Sequence, residues 1–170
     1  MDLSAISPTL LVASLMVAST PILLASIGEL VVEKSGVLNL GVEGMMITGA
    51  ICGFAAAVLT GSPMIGFVCA ALGGATISLV FAVLTQYFLS NQVATGLALT
   101  LFGLGLSAML GQSYVGIKPP TTYKLDLPLI SDIPILGPIL FSHDFTVYAA
   151  LALVLGVWWF LKYTRGGLIL

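Results

Sequence analysis

Charged residues are scarce in this chain: five basic and seven acidic side chains make up 7% of its 170 residues. A soluble domain carries about 25%, so these few charges could not cover a globule of this size. None of them lies between Glu43 and Lys118. A membrane-spanning helix needs about 20 mainly apolar residues, so the uncharged stretch is long enough for about three passes.

Other scarcities exclude whole classes of function. The two cysteines, Cys52 and Cys69, lie in apolar runs without a Cys-x-x-Cys pattern, so neither a disulfide nor a metal site is expected. The sequence has no basic cluster for nucleic acid and no glycine-rich phosphate loop ending in Gly-Lys-Ser or Gly-Lys-Thr. It therefore predicts no cofactor, no nucleic-acid partner and no ATP hydrolysis by this chain itself.

What remains is apolar, with 59% hydrophobic residues and a mean hydropathy of +1.16. Open sheets leave unpaired edges in lipid, and barrel strands alternate apolar with polar residues, which 97–101 and 149–155 do not. We predict an all-α fold, a polytopic transmembrane helix bundle of about five spans plus a short interfacial or re-entrant segment, in one domain over 1–170. The predicted spans are 8–28, 45–59, 64–89, 93–111 and 145–161, with an external loop at 112–143.

The interfacial or re-entrant segment is predicted between the first two spans, where a third of the charges cluster. Ser35-Gly36 breaks the first helix, and the apolar residues that follow surround Asn39. The second span is short at about 1.5 Å per residue, unless the turn before it also enters the membrane. The clustered charges are Glu29, Glu33, Lys34 and Glu43.

Small residues recur at helical spacing within the predicted spans. Along the third span every fourth residue is small over several turns, and this spacing lets two helices approach closely. The pattern predicts a compact, tightly packed bundle. The residues predicted to pack helices are Gly49, Gly53, Gly66, Ala70, Gly74, Ser78, Gly103, Ser107 and Gly111.

Basic residues predict the orientation of the bundle. Lys162 and Arg165 directly follow the last span and its interfacial Trp158-Trp159 pair, which indicates a cytoplasmic end. Counting back over five spans places the N-terminus and the loop 112–143 outside, and the charged segment before the second span inside.

Polar groups at membrane depth are costly and tend to be functional. Each candidate also has a structural explanation. Asn91 and Gln92 could cap a helix, a threonine could bond back to its own helix, and a carboxylate at the start of a helix is stabilised by the helix dipole. The candidates are Asn39, Glu43, Asn91, Gln92 and Thr95.

An enzymatic alternative rests on Gly105-Leu106-Ser107, which resembles the Gly-x-Ser pattern of intramembrane serine proteases. This pattern is weak in a glycine-rich helix, and His143, the single histidine, lies at the end of a loop rather than inside a partner span. We therefore predict that the chain is not an enzyme.

The most specific pattern is Ser35-Gly36-Val37-Leu38-Asn39-Leu40-Gly41-Val42-Glu43-Gly44-Met45-Met46, followed by Gly49-Ala50. It resembles the signature of a bacterial family of ABC-importer permeases that take up branched-chain amino acids, simple sugars and nucleosides. Residues 28–34 and 91–100 fit the same family. The sequence around Asn39 resembles that of the nucleoside or simple-sugar branch of the family. The resemblance to the family covers essentially the whole chain.

The resemblance implies a multi-pass permease subunit of the bacterial inner membrane that forms part of a substrate pathway. Its implied partners are a second permease subunit, ATP-binding cassette subunits that hydrolyse ATP, and an external substrate-binding lipoprotein. Asn39, Asn91, Gln92 and Thr95 become candidate pathway residues, and Glu43 a residue that orients the segment around Asn39.

One departure from the family concerns length. Family members are roughly twice as long, and residues 164–170 correspond to the start of the cytoplasmic coupling segment. We therefore expect an N-terminal portion of a permease, with a non-transporting membrane scaffold or assembly fragment as the alternative.

Overall fold

The computed structural model describes residues 8–121 and 144–170. The elements in these ranges are helical, and five of the described helices are long and apolar enough to cross a membrane. The predicted all-α polytopic bundle is thereby confirmed. The helices are α1 (Pro8–Lys34), α2 (Val42–Thr60), α3 (Pro63–Ala82), α4 (Gln92–Gly111), α5 (Phe145–Tyr163) and the short α6 (Arg165–Ile169).

The described residues divide into two compact units, one of residues 8–31 with 144–170 and one of residues 32–121. The first unit contains most of α1 together with α5 and α6. Helix α1 is described from Pro8 and carries Pro21 inside it, where a missing N–H can be tolerated in a membrane helix. The single domain over 1–170 stays a prediction.

The corner between α5 and α6 is made by Thr164, whose extended backbone (φ −109°, ψ 152°) interrupts the helix. Its hydroxyl donates to the carbonyl of Phe160 at 2.7 Å and accepts from the N–H of Gly167 at 3.1 Å. Gly167 packs directly on the backbone of Phe160 and Leu161, so this corner is closed by residues only a few positions apart.

The second unit is a three-helix assembly of α2, α3 and α4. Gly61 lies in the left-handed region (φ +67°) at the C-cap of α2, and Pro63 opens α3, a pairing typical of a helix end followed by a new start. Helix α3 continues through a π-helical turn at Val83–Tyr87. The side chain of Asn91 then caps α4.

Helices α2 and α3 touch through small residues. A β-carbon added at Gly49 would lie 2.8 Å from the carbonyl oxygen of Ala70, and one added at Gly53 would lie 2.8 Å from that of Gly66. Both distances are shorter than real β-carbon contacts, so glycine is required for this close approach. A further glycine in the seam, Gly73, was not predicted and packs against Cys52.

The small residues of α3 meet α2 as far as Gly74. The carbonyl of Met45 lies beside Gly74, so α3 passes the start of α2 one turn before Ser78. Ser78 is exposed among the described residues. Its assignment as a packing residue stays a prediction.

The hydrophobic core of this unit lies where α3 and α4 pass the chain that precedes α2. Ile77, Phe81 and Leu99 are buried together. Val37 and Met45 pack against them from either side of the α2 start. The core therefore ties the break between α1 and α2 to the other two helices.

Candidate functional site

The break between α1 and α2 covers residues 35–41, which we call the docked segment. Gly36 has φ +81°, a value that other residues rarely adopt. Gly36 N–H still bonds back to the carbonyl of Glu33 at 2.9 Å. The chain then runs without helical structure until α2 begins at Val42.

Side chains of α4 satisfy backbone groups of the docked segment. The N–H of Leu38 donates to Oε1 of Gln92 at 2.8 Å. The hydroxyl of Thr100 lies 3.1 Å from the carbonyl oxygen of Leu40 and 3.2 Å from that of Gly96. Irregular backbone in a membrane needs such partners because lipid offers none.

Glycines allow the backbone of the docked segment to lie directly on α4. A β-carbon at Gly96 would lie 2.9 Å from the amide nitrogens of both Leu40 and Gly41. The contact continues one turn further, where a β-carbon at Gly44 would lie 2.5 Å from the carbonyl oxygen of Leu99 and one at Gly103 would lie 2.6 Å from that of Gly44. This is a backbone-to-backbone contact between two chain segments.

The register of these contacts gives the depth of the docked segment. Gly96 and Thr100 lie about 6 Å and about 12 Å beyond the first residue of α4. The neighbour of Met45 on α3, Gly74, lies about 20 Å before the end of that helix at Tyr87. Since α3 and α4 are both candidate membrane spans, the start of α2 lies well inside the span. This is re-entrant geometry, the alternative that accounts for the shortness of α2.

Asn39 is buried (7% exposed) inside the docked segment. Its Oδ1 accepts from the N–H of Gly41 at 2.9 Å, and its Nδ2 lies 3.6 Å from the sulfur of Met45. The side chain therefore shapes the turn into α2. Asn39 directly follows Leu38 in the chain, and Gln92 of α4 is bound to Leu38 by its hydrogen bond.

Asn91 and Thr95 lie at the turn between α3 and α4. Oδ1 of Asn91 accepts from the N–H of Ala94 at 3.1 Å, which is an N-cap. The Thr95 hydroxyl lies 2.8 Å from the hydroxyl of Ser90. These two polar residues are thus engaged in local structure, Asn91 directly before Gln92 and Thr95 about one turn after it.

Glu43 and Asn91 are the two candidates whose side chains are exposed, and Glu43 is the charged one. It lies in the first turn of α2, next to Gly44 and therefore at the depth of the third turn of α4. The sequence places this carboxylate at the start of a span, but the contacts of α2 with α3 and α4 place it inside.

Sequence reasoning missed Gly41, Gly44, Gly96 and Thr100 as residues of this site. A signal was available on α4, because Gly96, Thr100 and Gly103 follow an i, i+4, i+7 spacing and so share one helix face. The serine of the enzymatic alternative, Ser107, is half-buried. Its proposed partner His143 lies outside the described residues.

The arrangement defines a class: a polytopic membrane protein in which a non-helical, re-entrant segment packs against a neighbouring span. A family model described as "Branched-chain amino acid transport system / permease component" matches residues 11–170. The chain belongs to this permease family. The predicted family is confirmed, and with it a multi-pass location in the inner membrane. The family is a class of transporter subunits rather than of enzymes, and it implies assembly into an ABC transporter.

Three relatives show which members of the family the chain resembles. One, named as a glucose ABC transporter permease, is from Haloferax volcanii; it is 39% identical over 155 residues, which are 89% of this chain and 47% of the relative. A guanosine ABC transporter permease of Bacillus subtilis and a nucleoside ABC transporter permease of Lactococcus lactis are 32% and 31% identical, each over 94% of this chain and 54% of the relative.

The chain spans about half the length of these curated relatives. No solved structure gives a significant match to it. No group of three or more potential metal ligands of the types His, Cys, Asp and Glu occurs within residues 8–121 and 144–170.

Proposed function

We propose that this chain is part of the permease subunit of an ABC importer for nucleosides or simple sugars. The observation that carries the proposal is the similarity of about nine-tenths of the chain to permeases named for glucose, guanosine and nucleosides. The similarity includes the docked segment and the helices that hold it.

The docked segment supports a place in the substrate pathway. Non-helical backbone at membrane depth is tolerated where it is buried in protein or lines a water-filled cavity. Asn39 and Gln92 hold the backbone of this segment through their amide oxygens, and Asn91 and Thr95 hold the turn at which α4 begins. The candidate residues around the segment are thus mostly neutral and polar, in keeping with a neutral, polar solute. In this proposal Asn39 and Gln92 shape the wall of the pathway, and Glu43 lies on it.

The assembly we propose contains a second permease subunit and two ATP-binding cassette subunits on the cytoplasmic side. An external binding lipoprotein delivers the solute. ATP binding and hydrolysis occur on the cassette subunits and drive the permease between outward-facing and inward-facing states. The end of α5 with Lys162 faces the cytoplasm, in keeping with the positive-inside rule.

Uptake assays test this proposal. Disruption of the gene should abolish accumulation of a radiolabelled ribonucleoside or hexose, and complementation should restore it. Asn39→Ala and Gln92→Ala should lower the maximal uptake rate at unchanged amounts of subunit in the membrane. Gln112→Ala is a matched control, because Gln112 is an exposed glutamine just beyond the other end of α4.

One outcome contradicts the transporter assignment, and a second contradicts only the assignment of the two pathway residues. Normal uptake of both solutes after disruption, together with no co-purifying ATPase, supports the non-transporting scaffold instead. Unchanged kinetics in both Asn39→Ala and Gln92→Ala remove these residues from the pathway while leaving the transporter assignment intact.

A further inference from the structure

Glu43 presents an exposed carboxylate at a depth where charge is expensive. Its neighbour Gly44 packs against Leu99 and Thr100 in the third turn of α4. Ionisable groups at such depth face water, a bound solute or an opposite charge, because lipid contact costs several kcal/mol. The exposure of Glu43 therefore needs a partner that the membrane cannot supply.

Helices α2, α3 and α4 offer Glu43 no opposite charge, because no lysine or arginine lies between Lys34 and Lys118. The neighbouring amides are also engaged, since Gln92 accepts from Leu38 and Asn39 accepts from Gly41. The carboxylate of Glu43, by contrast, is exposed.

The chemistry of a carboxylate then limits the kinds of solute that Glu43 can bind. The solutes proposed above are neutral, but simple sugars and ribonucleosides share a ring with two adjacent hydroxyl groups. A carboxylate has two oxygens that accept charge-assisted hydrogen bonds. Acidic side chains recognise ribose hydroxyls in this way in dinucleotide-binding folds.

We infer that Glu43 accepts hydrogen bonds from the vicinal hydroxyl groups of the transported solute and so selects for sugars and ribonucleosides. The inference rests on the proposed function and deepens it. A 2′-deoxyribonucleoside leaves one of these bonds unmade, so Glu43 disfavours it inside the permease, after delivery by the binding protein.

The test compares uptake of one ribonucleoside and its 2′-deoxy analogue by cells that express the assembled transporter. Glu43→Gln keeps the size of the side chain but loses the charge. We expect the ratio of ribonucleoside to deoxyribonucleoside uptake to fall about tenfold, the value of one charged hydrogen bond. Since the same binding protein delivers both solutes, the change in this ratio reports on the permease. Glu33→Gln, an exposed glutamate at the end of α1, should leave the ratio unchanged.

Each other outcome overturns the inference in a distinct way. Equal loss of both solutes assigns Glu43 to structure or to conformational change, and no loss removes it from the pathway. If the unmodified transporter takes up neither a ribonucleoside nor a hexose, the proposed function itself is refuted.

A second measurement keeps the inference testable where the glutamine variant assembles poorly. Glu43→Cys, in a background with Cys52→Ala and Cys69→Ala, should react with a membrane-impermeant thiol reagent in the assembled transporter. The ribonucleoside should slow this reaction several-fold more than its deoxy analogue. An unreactive cysteine, or equal protection by both solutes, contradicts the inference.

Discussion

The molecule contains two helix breaks that are built in opposite ways. The α5–α6 corner is closed by residues three to seven positions apart, through the Thr164 hydroxyl and the packing of Gly167. The docked segment depends on α4, whose Gln92 and Thr100 are 54 and 60 residues away from their partners. A local break can form with its own helix, whereas the docked segment exists only once α4 is in place.

The largest effect should come from separating the docked segment from α4. Gly103→Ala would place a β-carbon 2.6 Å from the carbonyl oxygen of Gly44, and the atoms that it meets there are backbone atoms of Gly44. We expect a loss of about 3 kcal/mol of stability, at the upper end for overpacking, measured by unfolding in detergent.

The control for this variant lies on the same helix. A β-carbon at Gly105 meets nothing within 4 Å among the described residues. Gly105→Ala should be neutral or stabilise by up to about 1 kcal/mol through helix propensity. Equal stability of the two variants would show that the contact between Gly44 and Gly103 does not hold the segment.

The local corner should respond less strongly. A β-carbon at Gly167 overlaps the backbone of Phe160 and Leu161, whereas one at Gly166 meets only the movable ring of Phe160 at 3.2 Å. Gly167→Ala should cost roughly 2 kcal/mol and Gly166→Ala much less. Amide hydrogen exchange of residues 165–170 should rise only in Gly167→Ala, and exchange of residues 37–41 should not change in either variant.

Removal of one hydrogen bond should have a smaller effect on the docked segment. Gln92→Ala leaves the N–H of Leu38 without its acceptor, at a cost of about 1–2 kcal/mol. Gln92→Glu retains an acceptor and should restore slow exchange of the Leu38 amide. If exchange over residues 37–41 is as slow in Gln92→Ala as in the unmodified chain, this hydrogen bond is not what fixes the segment.

The smallest effect is expected at Thr164. Thr164→Val keeps the shape of the side chain but removes the capping oxygen, which is worth about 1 kcal/mol. Thr164→Ser retains the hydroxyl and should behave like the unmodified chain. The melting temperatures of the two variants in detergent are the measurement, and a serine variant that is as unstable as the valine variant would show that the hydroxyl alone does not stabilise the corner.

The contrast between the two helix breaks also explains which features of the structure could be predicted from the sequence. Apolar runs, Pro63 and the capping Asn91 predict helices and turns because they act within a few residues. The depth of Glu43 could not be predicted, since it depends on which turn of α4 meets Gly44. The hydrogen bond that Gln92 accepts from Leu38 was equally inaccessible, because a glutamine at a helix start is typical of an interfacial residue. The resemblance to the family identified residues 35–46 as a characteristic segment, which hydropathy and helix rules alone did not, but it gave none of their contacts.

Where glycines bring the docked segment and the start of α2 onto α4, the contact consists of backbone, so it involves no side chain that could be exchanged for another. The residues that this contact leaves exposed include Leu38, Leu40 and Glu43. In the proposed transporter, substitutions at these exposed positions change which solute is preferred and leave the glycine contact intact. The position of the backbone and the choice of solute then depend on different residues.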